Sequence, residues 1–247
     1  MNEVDESTPV PVNDDSLVAS PGGPVLPWWS FLVLCAALVF LGFAAATFVG
    51  SNATATCEGG CPNASDVGFF RDMYDHHDQA VQIAASYQGN PDPEGYAALL
   101  ADEILLGQRR EQGIMIGWLE SWGYALGEID RTDAMAWMGS PTAVLDMPGM
   151  QDPAAISALD ELPTDEATMQ FYLMLRDHHV GGIEMALVAA DKVDNAFVRR
   201  YATDWAEVQT FEIFEVDAQL TLLGVDTSTL PQPEVVEGPD GLMHSHD

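Results

Sequence analysis

Phe69, Met73, Asp75, His76 and His77 recur at one constant offset as Phe171, Leu175, Asp177, His178 and His179. The register continues from Val81 to Ile183 and from Ala84 to Ala186. A second set, Gln108, Glu111, Leu119 and Gly123, returns at an offset one residue shorter as Gln209, Glu212, Leu220 and Gly224. A pattern repeated in this order is one supersecondary unit used twice, and stacking the copies buries a common core. Two helical hairpins of one design predict a four-helix bundle with a pseudo-twofold axis and one long crossover.

Local signals divide the unit. Asp66 is expected to cap a first helix reaching about Tyr87, because Phe69, Phe70, Met73, His77, Ala80, Val81 and Ala84 recur at helical spacing. Gly89-Asn90-Pro91 stops it, and Pro93 opens a second helix running to about Trp122, with Gly123 beyond its end. Thr164, followed by Asp165 and Glu166, starts a third helix to about Ala190, and a fourth spans Asn195 to Leu223. The bundle is thus predicted over 66–224: repeat one 66–123, a connector 124–163, and repeat two 164–224. Within the connector, Asp152-Pro153 introduces a short helix. No segment alternates as a strand would, so the fold class is all-α.

The bundle is preceded by a different kind of sequence. Residues 1–27 form an acidic tail expected to be disordered, and 28–50 (WWSFLVLCAALVFLGFAAATFVG) are almost wholly apolar. At about 1.5 Å per residue this stretch crosses a hydrocarbon core of roughly 30 Å, with Trp28 and Trp29 placed as interfacial anchors. A transmembrane helix with the lipid bilayer as partner is predicted. A cleaved signal peptide competes through Ala44-Ala45-Ala46, but nothing before Pro27 supplies its basic n-region. In the linker 51–65, Cys57 and Cys61 bracket Glu58-Gly59-Gly60, which suits a small disulfide loop or a pair of thiolates for Cu(I) or zinc. Asn52-Ala53-Thr54 and Asn63-Ala64-Ser65 match the glycosylation sequon. These features place a single-pass protein in the cell membrane, its C-terminal domain outside the cytoplasm.

Charge limits the partners. Against 39 acidic residues stand 8 basic ones, a net charge of −31, which repels nucleic acid and anionic headgroups. The balance suits cations, and equally a chain kept hydrated in high salt. A homo-oligomer is compatible with it. The residues after Gly224, 225–247, read as a disordered acidic tail ending in Met243-His244-Ser245-His246, a loose copper or nickel ligand or an idle terminus.

Four of the six histidines lie in the two repeats. Adjacent residues on a helix diverge by about 100°, so one His-His pair does not chelate an ion from one face. Ligands must then come from a neighbouring helix or from one turn away. Asp72 shares a face with His76, Met73 with His77 and Met174 with His178, while Glu111 and Glu212 approach from the paired helices. The candidate metal set is therefore His76, His77, His178, His179, Met73, Asp72, Glu111, Glu212 and Met174. Imidazole with carboxylate suits a transition metal ion. Copper is favoured by the methionines, with zinc or iron as alternatives. The competing view makes these histidines buried polar residues, bonded to carboxylates, that set helix register.

The segments FFRDMYDHHDQAVQIA and MPGM…FYLMLRDHHVGGIEMA, with QRREQGIMIGWLESWG between them, resemble the domain of unknown function 305 family. The resemblance covers about Asp66 to Gly224. It implies a ferritin-like four-helix bundle, exported or membrane-anchored, with some relatives similar to periplasmic copper-binding and copper-resistance proteins. The family's His-His motifs fall on His76, His77, His178 and His179, and its Met-rich connector on Met147 and Met150. Leu175 stands where the second motif normally has Met, Arg176 precedes Asp177, and methionine content is modest, which argues against a high-capacity Cu(I) store.

Metal binding or buffering outside the cytoplasm is the expected function. A ferritin-like redox enzyme is the rival; it calls for Glu-x-x-His on two helices, whereas this chain offers Asp72 with His76 and isolated Glu111 and Glu212. A structural or sensory bundle without metal is the third reading.

Overall fold

The computed structural model describes residues 60–93, 95–128 and 130–233. The predicted N-terminal tail, the 28–50 span, Cys57 and the end of the C-terminal tail lie outside the described residues. Among those described, five α-helices and no strands occur, and no helix is long and apolar enough to cross a membrane. The helices are α1 (Ala64–Gln88), α2 (Gly95–Ser121), α3 (Pro153–Ala158), α4 (Thr164–Lys192) and α5 (Ala196–Leu222). Within the connector, short 3-10 turns cover Ala136–Met138 and Val144–Asp146.

The N-cap of α1 is Asn63, three residues earlier than the expected Asp66. Asn63 Oδ1 accepts from the Ser65 and Asp66 amides at 2.7 and 2.9 Å, while Asp66 Oδ2 accepts from the Asn63 amide at 2.7 Å. Asp66 is thus the third-residue partner of a capping box. Its other oxygen accepts from the buried Asn195 amide at 3.0 Å, and Asn195 is itself the N-cap of α5. One carboxylate therefore ties together the starts of the first and last helices. Asp152 caps α3 as its Asp-Pro sequence suggests.

Helix α1 packs along α2, α4 along α5, and the hairpins meet chiefly through α1 and α4. The result is a helical bundle whose apolar core falls into two clusters. Phe69, Phe70, Met73, Met115, Leu119, Met185 and Trp205 fill one. Ala80, Ile83, Tyr87, Leu100, Ile104, Phe171, Leu175 and Val216 fill the other. Along α1 the break between them falls at His76 and His77, and along α4 at His178 and His179. A buried polar layer thus divides the core, and every polar atom there must find a partner or carry a desolvation cost.

The long connector is clamped to α1. Arg131 pairs with Asp72 at 2.5 Å and with Asp75 at 2.7 Å, and the Met135 amide and Trp137 indole both donate to Asp72 Oδ2 at 2.7 Å. Gly68 lets Trp137 lie flat on α1, since a Cβ there would meet the indole at 2.5 Å. Further on, the chain at Pro148-Gly149 presses into α4. A Cβ on Gly181 would lie 2.2 Å from Pro148 O, so only glycine permits this approach.

Candidate metal centre

Helical geometry sends the two rings of each His-His pair to different neighbours. His76 and His178, from α1 and α4, lie face to face with ring centroids 3.8 Å apart and planes tilted by 33°. His77 turns to α2, its Nε2 2.7 Å from Glu111 Oε2, and His179 turns to α5, its Nε2 2.7 Å from Glu212 Oε2. All four imidazoles are buried. The duplicated sequence thus produces duplicated carboxylate–imidazole pairs.

The facing pair is not symmetric. His178 Nε2 donates to the backbone oxygen of His76 at 2.9 Å, but His76 Nε2 donates to Pro148 O at 3.1 Å. The connector wedge supplies the acceptor on one side only. A carbonyl accepts and never donates, so both rings carry their proton on Nε2 and a lone pair on Nδ1. Burial pushes the His76 imidazolium down to about 3, helped by the neighbouring His77. His178 lies well below the usual histidine value through burial and then His76. Both rings are neutral in ordinary buffers, the form in which imidazole binds metals.

Nδ1 of His76, His77, His178 and His179 has no hydrogen-bond partner, and neither has Gln108 Oε1, Gln209 Oε1, Gln209 Nε2 or Glu212 Oε2. Among the described residues, no three His, Cys, Asp or Glu side chains converge on one point suited to an ion. The arrangement offers lone pairs on the neutral imidazoles of His76 and His178 and sets carboxylates beside His77 and His179, and a carboxylate behind the ring is how metal-ligating histidines are commonly oriented.

The remaining expected ligands are spread more widely. Asp72 is taken up by Arg131, the Met135 amide and the Trp137 indole. Met73 packs in the first apolar cluster beside Met147, and Met150 lines it. Met174 belongs to the second cluster. Asp75 is held by Arg131, its carboxyl pushed up by burial against the pull of that guanidinium. Sequence reasoning missed Gln79, whose amide exchanges two hydrogen bonds with the Gln151 backbone at 2.6 and 3.0 Å. Gly182, small like Ala80, is expected to leave room for an ion or a close approach, and Gln209 lies against it; the part played by Gly181 was missed. Two glycines inside a long helix cost stability unless something approaches closely, and that was the available signal.

The model of the family described as "Domain of unknown function (DUF305)" matches residues 66–220. A crystal structure of a DUF305 protein from Streptomyces coelicolor, whose name marks it as a presumed secreted protein, is similar at a TM-score of 0.59 and 31% identity. That likeness covers 65% of this chain and 94% of the other. A DUF305 fragment from Deinococcus radiodurans is similar at a TM-score of 0.55 and 27% identity, over 65% of this chain and 98% of that one. No curated protein matches the chain.

Proposed function

This chain belongs to the DUF305 family, and from that premise we propose that its domain is a ferritin-like four-helix bundle that binds or buffers a transition metal, copper being favoured. The observation that carries this reading is the set of four buried imidazoles whose Nδ1 atoms lack partners. A buried polar group left unpaired costs about 1–3 kcal/mol. Four such atoms would consume roughly 4–12 kcal/mol, comparable with the whole stability of a domain. Ions bound at these lone pairs would remove that cost and balance the carboxylates of Glu111 and Glu212.

The residues fit a metal in donor type: neutral imidazole with carboxylate behind it suits copper, zinc or iron. Copper is preferred because methionines lie close to the histidines along the chain. Met73 precedes His77 by one turn on α1, and Met147 precedes the Pro148 that holds His76. The bound ion would supply positive charge and Lewis acidity at the polar layer. His76, His77, His178 and His179 would offer the imidazole donors, while Glu111 and Pro148 fix the orientation of His77 and His76.

A location outside the cytoplasm, on an anchor formed by residues 28–50, is part of the proposal. The disulfide-bonded state of Cys61 supports it, since such bonds persist in oxidising compartments. So does the presumed secretion of the Streptomyces coelicolor relative.

The second reading is a metal-free bundle whose polar layer sets helix register. It draws on the absence, among the described residues, of three convergent His, Cys, Asp or Glu ligands. Titration of the tag-free full chain with Cu(I), Cu(II) and Zn(II), against a variant with all four layer histidines changed to alanine, separates the two. Tighter binding by the wild type supports the metal reading. Equal binding by both leaves the register role.

A further inference from the structure

The two carboxylate–imidazole pairs share a separation and differ in everything else. His77 Nε2 and Glu111 Oε2 form an aligned hydrogen bond at 2.7 Å. His179 Nε2 and Glu212 Oε2 are also 2.7 Å apart, yet the contact is not aligned as a hydrogen bond and neither atom has another partner. With the His179 proton on Nδ1, Nε2 and Oε2 both present lone pairs and share no proton, so in repeat two the ligand atom is Nε2 rather than Nδ1. Their spacing is near that of neighbouring ligands of one tetragonal ion, since bonds of about 2.1 Å at a right angle put donor atoms about 3 Å apart.

Gln209 adds a third donor. It precedes Glu212 by one turn of α5 and is buried, and both its amide oxygen and its amide nitrogen are unpartnered. Its Oε1 lies against Gly182, one turn beyond His179 on α4, where a Cβ would stand only 2.2 Å away. The counterpart of Gly182 in repeat one is Ala80, whose methyl is packed in the core. The substitution of glycine for alanine admits the amide in one half only.

Charge separates the halves in the same sense. Beside His77 and Glu111, Arg109 pairs with Asp78 at 3.6 Å and donates to Gln112 Oε1 at 3.2 Å. The equivalents of Asp78, Arg109 and Gln112 in repeat two are Val180, Thr210 and Ile213, which bring no cation, and the Thr210 hydroxyl donates to Ala206 O of its own helix at 2.7 Å. Instead Glu103 and Glu215 stand near Glu212, and the Glu103 carboxyl is pushed up by burial and then by those two charges. Their counterparts in the other half are Asp204 and Ile114.

We infer that repeat two alone supplies the ligands of a divalent-cation site, His179 Nε2, Glu212 Oε2 and Gln209 Oε1, with its own Glu215 and Glu103 of α2 as the outer carboxylates that draw the ion in. This rests on the metal-binding reading and narrows it to one half of the bundle. One imidazole, one carboxylate and one amide oxygen form a borderline-to-hard donor set without sulfur. That set suits Cu(II) or Zn(II) and disfavours Cu(I).

The test is competitive titration of the full chain with Zn(II) and Cu(II), with EPR of the Cu(II) form. Glu212→Gln and Gln209→Leu should each weaken binding by at least about tenfold. Gly182→Ala, which displaces the amide without touching a ligand, should weaken it as well and change the Cu(II) EPR signature. Gln108→Leu, the counterpart in repeat one, should stay within about threefold of wild type, since only Gln209 is placed as a ligand. Circular dichroism confirms folding of each variant, and Gly182→Ala decides the matter if Glu212→Gln does not fold. Equal loss in Gln108→Leu and Gln209→Leu, or unchanged affinity in Gln209→Leu and Gly182→Ala, overturns the assignment while metal binding stands. A wild type that binds neither ion removes this site and the metal reading together.

Discussion

Replacing Gly181 with alanine should undo the asymmetry of the histidine layer from a distance. The new Cβ would lie 2.2 Å from Pro148 O, 2.3 Å from its carbonyl carbon and 2.5 Å from the Gly149 amide nitrogen. These are backbone atoms, so the connector itself must move, and Pro148 O is the acceptor that holds His76 Nε2. Overpacking costs about 1–3 kcal/mol, and a buried hydrogen bond left unmade costs about 1–3 kcal/mol more. Alanine returns up to ~1 kcal/mol of helix propensity. A net loss near 2 kcal/mol lowers Tm by roughly 4–8 °C in a domain of this size. The control is Gly113→Ala on α2, where a Cβ meets nothing within 4 Å and the same propensity gain stands alone. Its Tm should rise by roughly 1–4 °C. Paired thermal melts read the difference. If Gly181→Ala stabilises the protein as Gly113→Ala does, the connector does not seat on α4 as described, and the account of His76 fails with it.

Acid should destabilise the protein through the facing histidines. His76 and His178 have folded pKa values below the ordinary 6.5, so the unfolded chain binds more protons between 6.5 and the folded values. Stability is therefore full above about pH 6.5 and is lost as pH falls towards about 3, by up to about 1.4 kcal/mol per pH unit for each ring. Urea melts across that range check it, and a His76→Gln variant should show a shallower slope; an unchanged slope rejects the mechanism. Arg131→Met should cost about 3–5 kcal/mol, because it leaves the buried Asp72 carboxylate without its cation. A chemical-denaturation midpoint equal to wild type would show that the connector clamp contributes nothing.

Helix number, helix limits and the pairing of Glu111 and Glu212 with histidines follow from periodicity and from the repeat, since both record which residues share a face. They do not record what arrives from elsewhere. Asp72 and His76 are four apart and invite a shared ion, yet Asp72 belongs to Arg131, which comes from a connector without periodic pattern. Asp66 reads as a cap, but Asn63 before it completes the capping box and leaves Asp66 free to reach Asn195. The repeat also conceals its own departures. Equivalent histidines have different acceptors because Pro148 enters on one side, and Gly182, the counterpart of Ala80, leaves room for the Gln209 amide. Such differences depend on backbone contacts between distant segments, which side-chain spacing along one helix does not encode.

In the proposed site the buried histidines, rather than the C-terminal His244 and His246, take the metal. Histidine-selective 15N NMR of the full chain during Zn(II) titration addresses it directly. The account predicts that lone-pair nitrogen resonances from the group His76, His77, His178 and His179 shift at the first equivalent, with His179 among them. A response confined to His244 and His246, with the four buried rings unmoved, would contradict it.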